Sequence, residues 1–190
     1  MAAGRVGTAK AMAIAAPIIM AILLSLFGVS YLVSSLLGLP PSLSLPAVVR
    51  LLGGATAILG LSMAAWTFRA RSPASMIVST YVTFDKAIRR IPAADSAGRT
   101  EPLVVSGPQK YTRNPLYFGA IAMVLGWALL GGYTFVLVAT LALLLWFGLV
   151  LIPLEERELR ALFGEEWKRY SAETPMLFPF IRRKKPSGAS

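Results

Sequence analysis

Residues 116–152 read LYFGAIAMVLGWALLGGYTFVLVATLALLLWFGLVLI, a run without one charged side chain, interrupted only by Gly131-Gly132. A helix needs roughly 20 mainly apolar residues to cross a bilayer. The run is long enough for two crossings, and the glycine pair permits a tight turn between them. It predicts an antiparallel helical hairpin with spans at about 116–133 and 134–152. The loop is so short that the polar ends of the two helices, near Asn114 and Pro153, must be neighbours.

Each end of the hairpin carries a dense polar block. Upstream stand Gly107-Pro108-Gln109-Lys110-Tyr111-Thr112-Arg113-Asn114-Pro115-Leu116-Tyr117-Phe118-Gly119. Downstream stand Glu155-Glu156-Arg157-Glu158-Leu159 and Phe163-Gly164-Glu165-Glu166-Trp167-Lys168-Arg169-Tyr170. A plain membrane anchor needs neither. The hairpin brings both to one membrane face, as two halves of one site.

The rest of the chain has the same character. It is 56% hydrophobic with a mean hydropathy of +0.65 and only 15% charged residues, where an ordinary soluble domain has about a quarter. Two more apolar runs, at about 11–39 and 45–68, complete a set of four expected spans. The first run is too long for a signal-peptide core, and no small-residue cleavage pattern follows it. The 190 residues fit a single domain, 1–190, without internal repeats. The expected fold is an all-α integral membrane protein of four transmembrane helices plus a cytoplasmic amphipathic C-terminal helix.

Charge sets the expected orientation. Of 19 Lys and Arg, two lie in residues 1–10, eight in 69–113 and eight in 154–185; only Arg50 falls elsewhere. The links 39–45 and 131–134 carry no charge. Basic residues stay cytoplasmic, so both termini, the central loop and both polar blocks are expected inside. The net charge of +10 then suits anionic lipid headgroups, and no nucleic-acid motif is present. Neither Cys nor His occurs, which excludes thiolate and imidazole metal sites, Ser-His-Asp triads and Cys nucleophiles. No metal is expected.

The polar blocks also allow plainer readings. Asn114 and Pro115 suit the cap and first residue of a helix, though that leaves Tyr117 and Gly119 unexplained. A helix N-terminus also offers free N–H groups to an anionic or hydroxyl-bearing ligand. Leu159, Leu162, Phe163, Trp167 and Tyr170 share a helical face and fit an amphipathic helix on the bilayer. Three carboxylates at the end of a span, however, are costly unless solvated or paired, and beside aromatic rings they suit a cation or two ribose hydroxyls. In the long segment 69–113, Ile77, Tyr81, Phe84 and Ile88 recur at helical spacing. They predict an interfacial helix that covers the site, or else a solvated basic loop whose tip is 92–98. The tail Arg182-Arg183-Lys184-Lys185 reads as a membrane-proximal polybasic stretch.

The order Gly-Pro-x-x-Tyr-x-Arg-Asn-Pro-x-Tyr-x-Gly, apolar hairpin, then Glu-Glu-x-x-Leu-x-x-x-Phe-Gly-x-x-aromatic-x-x-Tyr resembles the isoprenylcysteine carboxyl methyltransferase family, kin to the membrane phospholipid N-methyltransferases. The resemblance runs over about 103–180. It implies an integral membrane enzyme that takes S-adenosylmethionine and methylates a lipophilic acceptor, with the cofactor-binding part at about 101–180. The implied cofactor contacts are Leu103, Val104, Gln109, Asn114, Pro115, Leu116, Tyr117 and Glu155, and the candidates for a catalytic role are Arg113 and Glu156. Gln109 stands where the family commonly has Tyr, and Asn114 where the eukaryotic enzymes have His. Leu151 stands where those enzymes place a substrate-binding Arg. Carboxyl O-methylation and lipid-amine N-methylation both stay open. A non-catalytic four-helix anchor or channel subunit would explain the spans but not the motifs.

Methyl transfer from a sulfonium needs positioning and electrostatics rather than His or a metal, so the composition is compatible with this chemistry. Small residues at Gly53, Gly54, Ala57 and Gly60, and at Gly119, Ala122 and Gly126, leave room either for an acceptor chain between the spans or for close helix packing.

Overall fold

The computed structural model describes residues 2–93 and 102–179, apart from the side chains of 2–16, 18, 19 and 85. The described chain is helical: α1 (Ala2–Leu36), α2 (Ala47–Ala70), α3 (Pro73–Arg89), a 3-10 turn (Gly107–Lys110), α4 (Pro115–Gly131), α5 (Thr134–Trp146), a π turn (Phe147–Leu151) and α6 (Ile152–Glu173). The fold is all-α among the described residues. The tip residues 94–98 and the tail 182–185 lie outside them, as do 101 and 180 at the ends of the expected cofactor-binding part.

Local chemistry explains most helix ends. Ser72 caps α3, its hydroxyl accepting from the Ser75 N–H at 3.2 Å, and Pro73 follows at the first helical position. Gly132 ends α4 in the left-handed region at φ 72°, where its N–H and that of Tyr133 both reach the Ala128 carbonyl. The helix α1 stops short of the expected 39 because Gly38 turns left-handed at φ 65° and Pro40-Pro41 follow. It extends beyond the expected start at 11 through Arg5 and Lys10.

The hairpin differs from expectation in one respect. No break occurs at Pro153: helix continues from Thr134 to Glu173 through the π turn. Proline lacks the N–H for an α-helical bond and crowds the preceding turn. The wider π turn just before it lets the helix pass. The real kink comes later, at Gly164, with φ 48° and ψ −117°.

Among the described residues, Ala47–Ala70 and Thr134–Glu173 are long and apolar enough to cross a membrane, while Pro115–Gly131 is apolar but shorter. The uncharged links meet at one end of the molecule. The Leu43 N–H donates to the Gly132 carbonyl at 2.8 Å and the Thr134 N–H to the Pro41 carbonyl at 3.3 Å. Arg50, the exception in the charge count, sits at this end and gives its Nε–H to the Leu130 carbonyl at 3.0 Å. It satisfies one of the last carbonyls of α4.

Helices α2 and α4 pack backbone to backbone. A methyl added at Gly53 would lie 2.7 Å from Leu129 Cβ, one at Gly119 2.9 Å from the Gly60 carbonyl oxygen, and one at Gly126 2.6 Å from the Gly53 carbonyl oxygen. Of the two uses the small residues allow, these glycines serve close packing and leave no path between the helices.

Candidate functional site

The end of the molecule opposite the uncharged links carries α3, the segment 102–114 and α6. The helix α3 forms where the 69–113 periodicity places it, yet with an unexpected face inward. Tyr81 and Ile88 of its apolar stripe are exposed, while Thr83 and Lys86 are buried. Its polar stripe, Thr80, Thr83 and Lys86, meets the start of α6.

Each of the three carboxylates there has a different set of partners. Glu155 Oε1 accepts from the Tyr117 hydroxyl at 2.8 Å and from the Thr80 hydroxyl at 3.0 Å, tying α6 to α4 and α3. Glu156 takes a two-pronged ion pair from Arg113, with Nε to Oε1 at 2.9 Å and Nη2 to Oε2 at 3.2 Å. Glu158, with Lys86 at 2.7 Å and the Thr83 hydroxyl also donating, is 3% exposed. Pairing removes the desolvation problem that three bare carboxylates would pose at the end of a span.

The two polar blocks are therefore joined, as the hairpin argument requires. Tyr117 stands in the first turn of α4 and stacks on Phe147 of the π turn, with centroids 4.6 Å apart at 28°. Arg113 Nη1 also donates to the carbonyls of Ser171 at 2.6 Å and Thr174 at 2.9 Å, and its guanidinium lies 5.6 Å from the Trp167 ring centroid. The Tyr170 hydroxyl donates to the Gln109 carbonyl at 2.8 Å. Burial holds the Tyr170 phenol well above its usual pKa; Arg113 opposes that shift and Glu156 adds to it.

Asn114 does not cap α4 with its side chain. Its Nδ2 donates instead to the Met176 carbonyl at 2.9 Å. Thr112, fully buried, donates to the Leu177 carbonyl at 2.9 Å and accepts from the Asn114 N–H at 3.3 Å. Pro115 is buried, and Leu103, Val104 and Leu116 are half-buried on the backbone leading into and out of the 3-10 turn. Sequence reasoning passed over Thr80, Thr83, Lys86 and Thr112. The spacing Thr80-x-x-Thr83-x-x-Lys86 was the available signal, since it places three donors along one helix face.

Gln109 is 4% exposed, and its Oε1 has no hydrogen-bond partner among the described residues. A buried acceptor without a donor costs free energy unless a ligand or water supplies one. The Gly107 backbone that precedes it is left-handed, at φ 63°. Acceptors at Glu155 and Gln109 and the aromatic face of Tyr117 fit a ligand that carries hydroxyls, amino groups and a positive charge. This is the donor-rich character of S-adenosylmethionine.

The two polar blocks of this helical fold thus meet at Tyr117 and Glu155. The model of the phospholipid methyltransferase family matches residues 48–166, and the chain belongs to that family. The match begins in α2 and so takes in α3 as well as the motifs as far as Glu166. Neither curated proteins nor solved structures yield a match to the chain.

Proposed function

We propose that this chain is a four-span membrane methyltransferase that takes S-adenosylmethionine at the polar end of α4 and α6 and methylates a lipid-like acceptor. The observation that carries the reading is the Tyr117–Glu155 hydrogen bond of 2.8 Å, made between the two motifs. Both termini, and the site with them, face the cytoplasm in this reading, where a water-soluble cofactor has access. The Pro115–Gly131 helix of 17 residues is at the short end of the range for a span. Its companionship with the longer α2 supports counting it as one.

In this reading Glu155 holds the cofactor's hydroxyl or cationic part, and Tyr117 orients the carboxylate and offers its ring. Gln109 Oε1 accepts a further N–H or O–H. Bound S-adenosylmethionine supplies an activated methyl group. Arg113 and Glu156 fix the tail from Ser171 to Thr174 beneath the site: Arg113 pairs with Glu156, lies against the Trp167 ring and donates to the Ser171 and Thr174 carbonyls, which supports a positioning role for both.

Carboxyl O-methylation, as in the isoprenylcysteine enzymes, needs a cation to hold the acceptor's carboxylate. The position implied for it is Leu151, apolar and 6% exposed. That supports the second reading, N-methylation of a lipid amine, as does the description of the matched family. The test is incubation of the purified protein in native-lipid bilayers with methyl-labelled S-adenosylmethionine, followed by untargeted lipid analysis. A label released by mild base marks a methyl ester, a base-stable label marks an amine, and no labelled lipid at all overturns the acceptor class.

A further inference from the structure

A cleft of about 300 Å³ opens between the C-terminal end of α3 and the first turns of α6. Its floor is the Lys86–Glu158 ion pair, 2.7 Å long with side chains 7% and 3% exposed. Its rim carries Arg90 and Arg157, both exposed, and its walls include Ile91 and Leu154. Lys86 neutralises Glu158, so the cleft presents two positive charges at its mouth. No hydrogen bond or ion pair joins the guanidinium of either arginine to another described residue.

The chemistry of this cleft is that of an amphiphile's head. Guanidinium groups bind phosphate oxygens through paired N–H donors, and the apolar walls suit the carbon skeleton beyond the phosphate. Exposed Ile88 and Tyr81 on the outer face of α3 suit headgroup depth, where a partly apolar, partly polar helix rests. The carbonyl end of α3 disfavours an anion, but the Lys86 carbonyl is already satisfied by the N–H groups of Arg90 and Ile91. The methyl-transfer site proposed above turns on Glu155, which bonds to Thr80 and Tyr117 and does not line the cleft.

We infer that the α3–α6 cleft binds the phosphate of an anionic membrane lipid, with Arg90 and Arg157 as its ligands. The inference goes beyond the methyltransferase reading and does not depend on it, because binding is read without turnover. The full chain in zwitterionic nanodiscs is titrated with short-chain phosphatidylglycerol, and bound lipid is counted by native mass spectrometry. The expected result is one tightly held lipid, weakened about tenfold by Arg157→Gln or Arg90→Gln. Ala87→Trp, which fills the cleft without changing charge, is expected to weaken it as much. Arg160→Gln, on α6 but outside the cleft, is expected to leave it unchanged. An equal loss in Arg160→Gln reveals diffuse surface attraction and overturns the site. Competition by free glycerol phosphate at equal affinity overturns the lipid source, and undiminished binding in both the Arg157 and Ala87 variants overturns the cleft.

Discussion

The Tyr117 hydroxyl donates to Glu155 Oε1 at 2.8 Å across 38 positions of sequence. Everything between them is the hairpin, so the bond closes a loop whose only content is two helices and a turn. The Thr80 hydroxyl reaches the same oxygen at 3.0 Å, and three helices thus converge on one carboxylate atom. A hydrogen bond to a charged group in such a place is worth more than one in water.

Removing either end should therefore weaken cofactor binding without unfolding the chain. Tyr117→Phe and Glu155→Gln are each expected to cost ~1–3 kcal/mol in S-adenosylhomocysteine affinity, measured by calorimetry. The double variant should lose less than the sum, because the two residues share one interaction. Unchanged affinity in both single variants removes them from the site.

Arg113 is expected to act on stability. Its side chain is 7% exposed and that of Glu156 15%, so Arg113→Ala leaves a largely buried carboxylate unpaired and removes the bonds to the Ser171 and Thr174 carbonyls. A loss of about 3 kcal/mol or more is expected, read as a lower unfolding temperature in detergent. Arg113→Lys should recover part of it, since an ammonium cannot make the forked contact. Full stability with abolished turnover would make Arg113 catalytic instead.

Much of this was legible in the sequence because it depends on chain length and periodicity. The glycine turn and the uncharged run determined the hairpin, and the hairpin brought Asn114 and Glu155 to the same end. The inward face of α3 was not legible. Hydrophobic periodicity picked Ile77, Tyr81, Phe84 and Ile88 as its important stripe, but at a membrane surface the apolar side can face outward, and α6 presents carboxylates that call for Thr80, Thr83 and Lys86. The absence of a break at Pro153 was hidden for a similar reason. Proline reads as a helix stop, and only the backbone shows the π turn that accommodates it. The partner of the Asn114 side chain is also a matter of tertiary context, since it bonds to the Met176 carbonyl, 62 positions away.

The glycine row should be intolerant of bulk. Gly60→Leu and Gly126→Leu both drive a side chain into the backbone of the partner helix. Each is expected to destabilise by at least the ~1–3 kcal/mol typical of overpacking. Activity per folded molecule should survive. Normal stability with blocked turnover would restore these positions as an acceptor path.

Tyr170 gives a pH dependence in the alkaline range. Its pKa in the folded chain lies above the ordinary value of 10.0, chiefly through burial. The unfolded chain therefore loses this proton first, and stability should fall as pH rises from 10.0 toward the folded pKa. Below that window the contribution is fully present. Tyr170→Phe should flatten the alkaline decline, while losing the bond to the Gln109 carbonyl at neutral pH. Denaturant midpoints for both proteins across the alkaline range check the sign; an identical decline in the two assigns it elsewhere.

The arrangement of the apolar helices makes a final demand on the membrane. The uncharged links are hydrogen-bonded to each other, Leu43 to Gly132 and Thr134 to Pro41, so they must lie on the same side of any bilayer. The polar blocks are likewise tied together at the other end, through Arg113 and Glu156. Reporter fusions at Pro41 and Gly132 should both read outside, and fusions at Ala94 and Ser187 both inside, by the distribution of basic residues. The pairing makes this stricter than a charge count alone. Fusions at Pro41 and Gly132 that disagree with each other contradict the fold itself, whereas an agreed inversion of all four overturns only the orientation. An inverted orientation would also leave the Tyr117–Glu155 site facing away from a cytoplasmic methyl donor, and the proposed activity would fall with it.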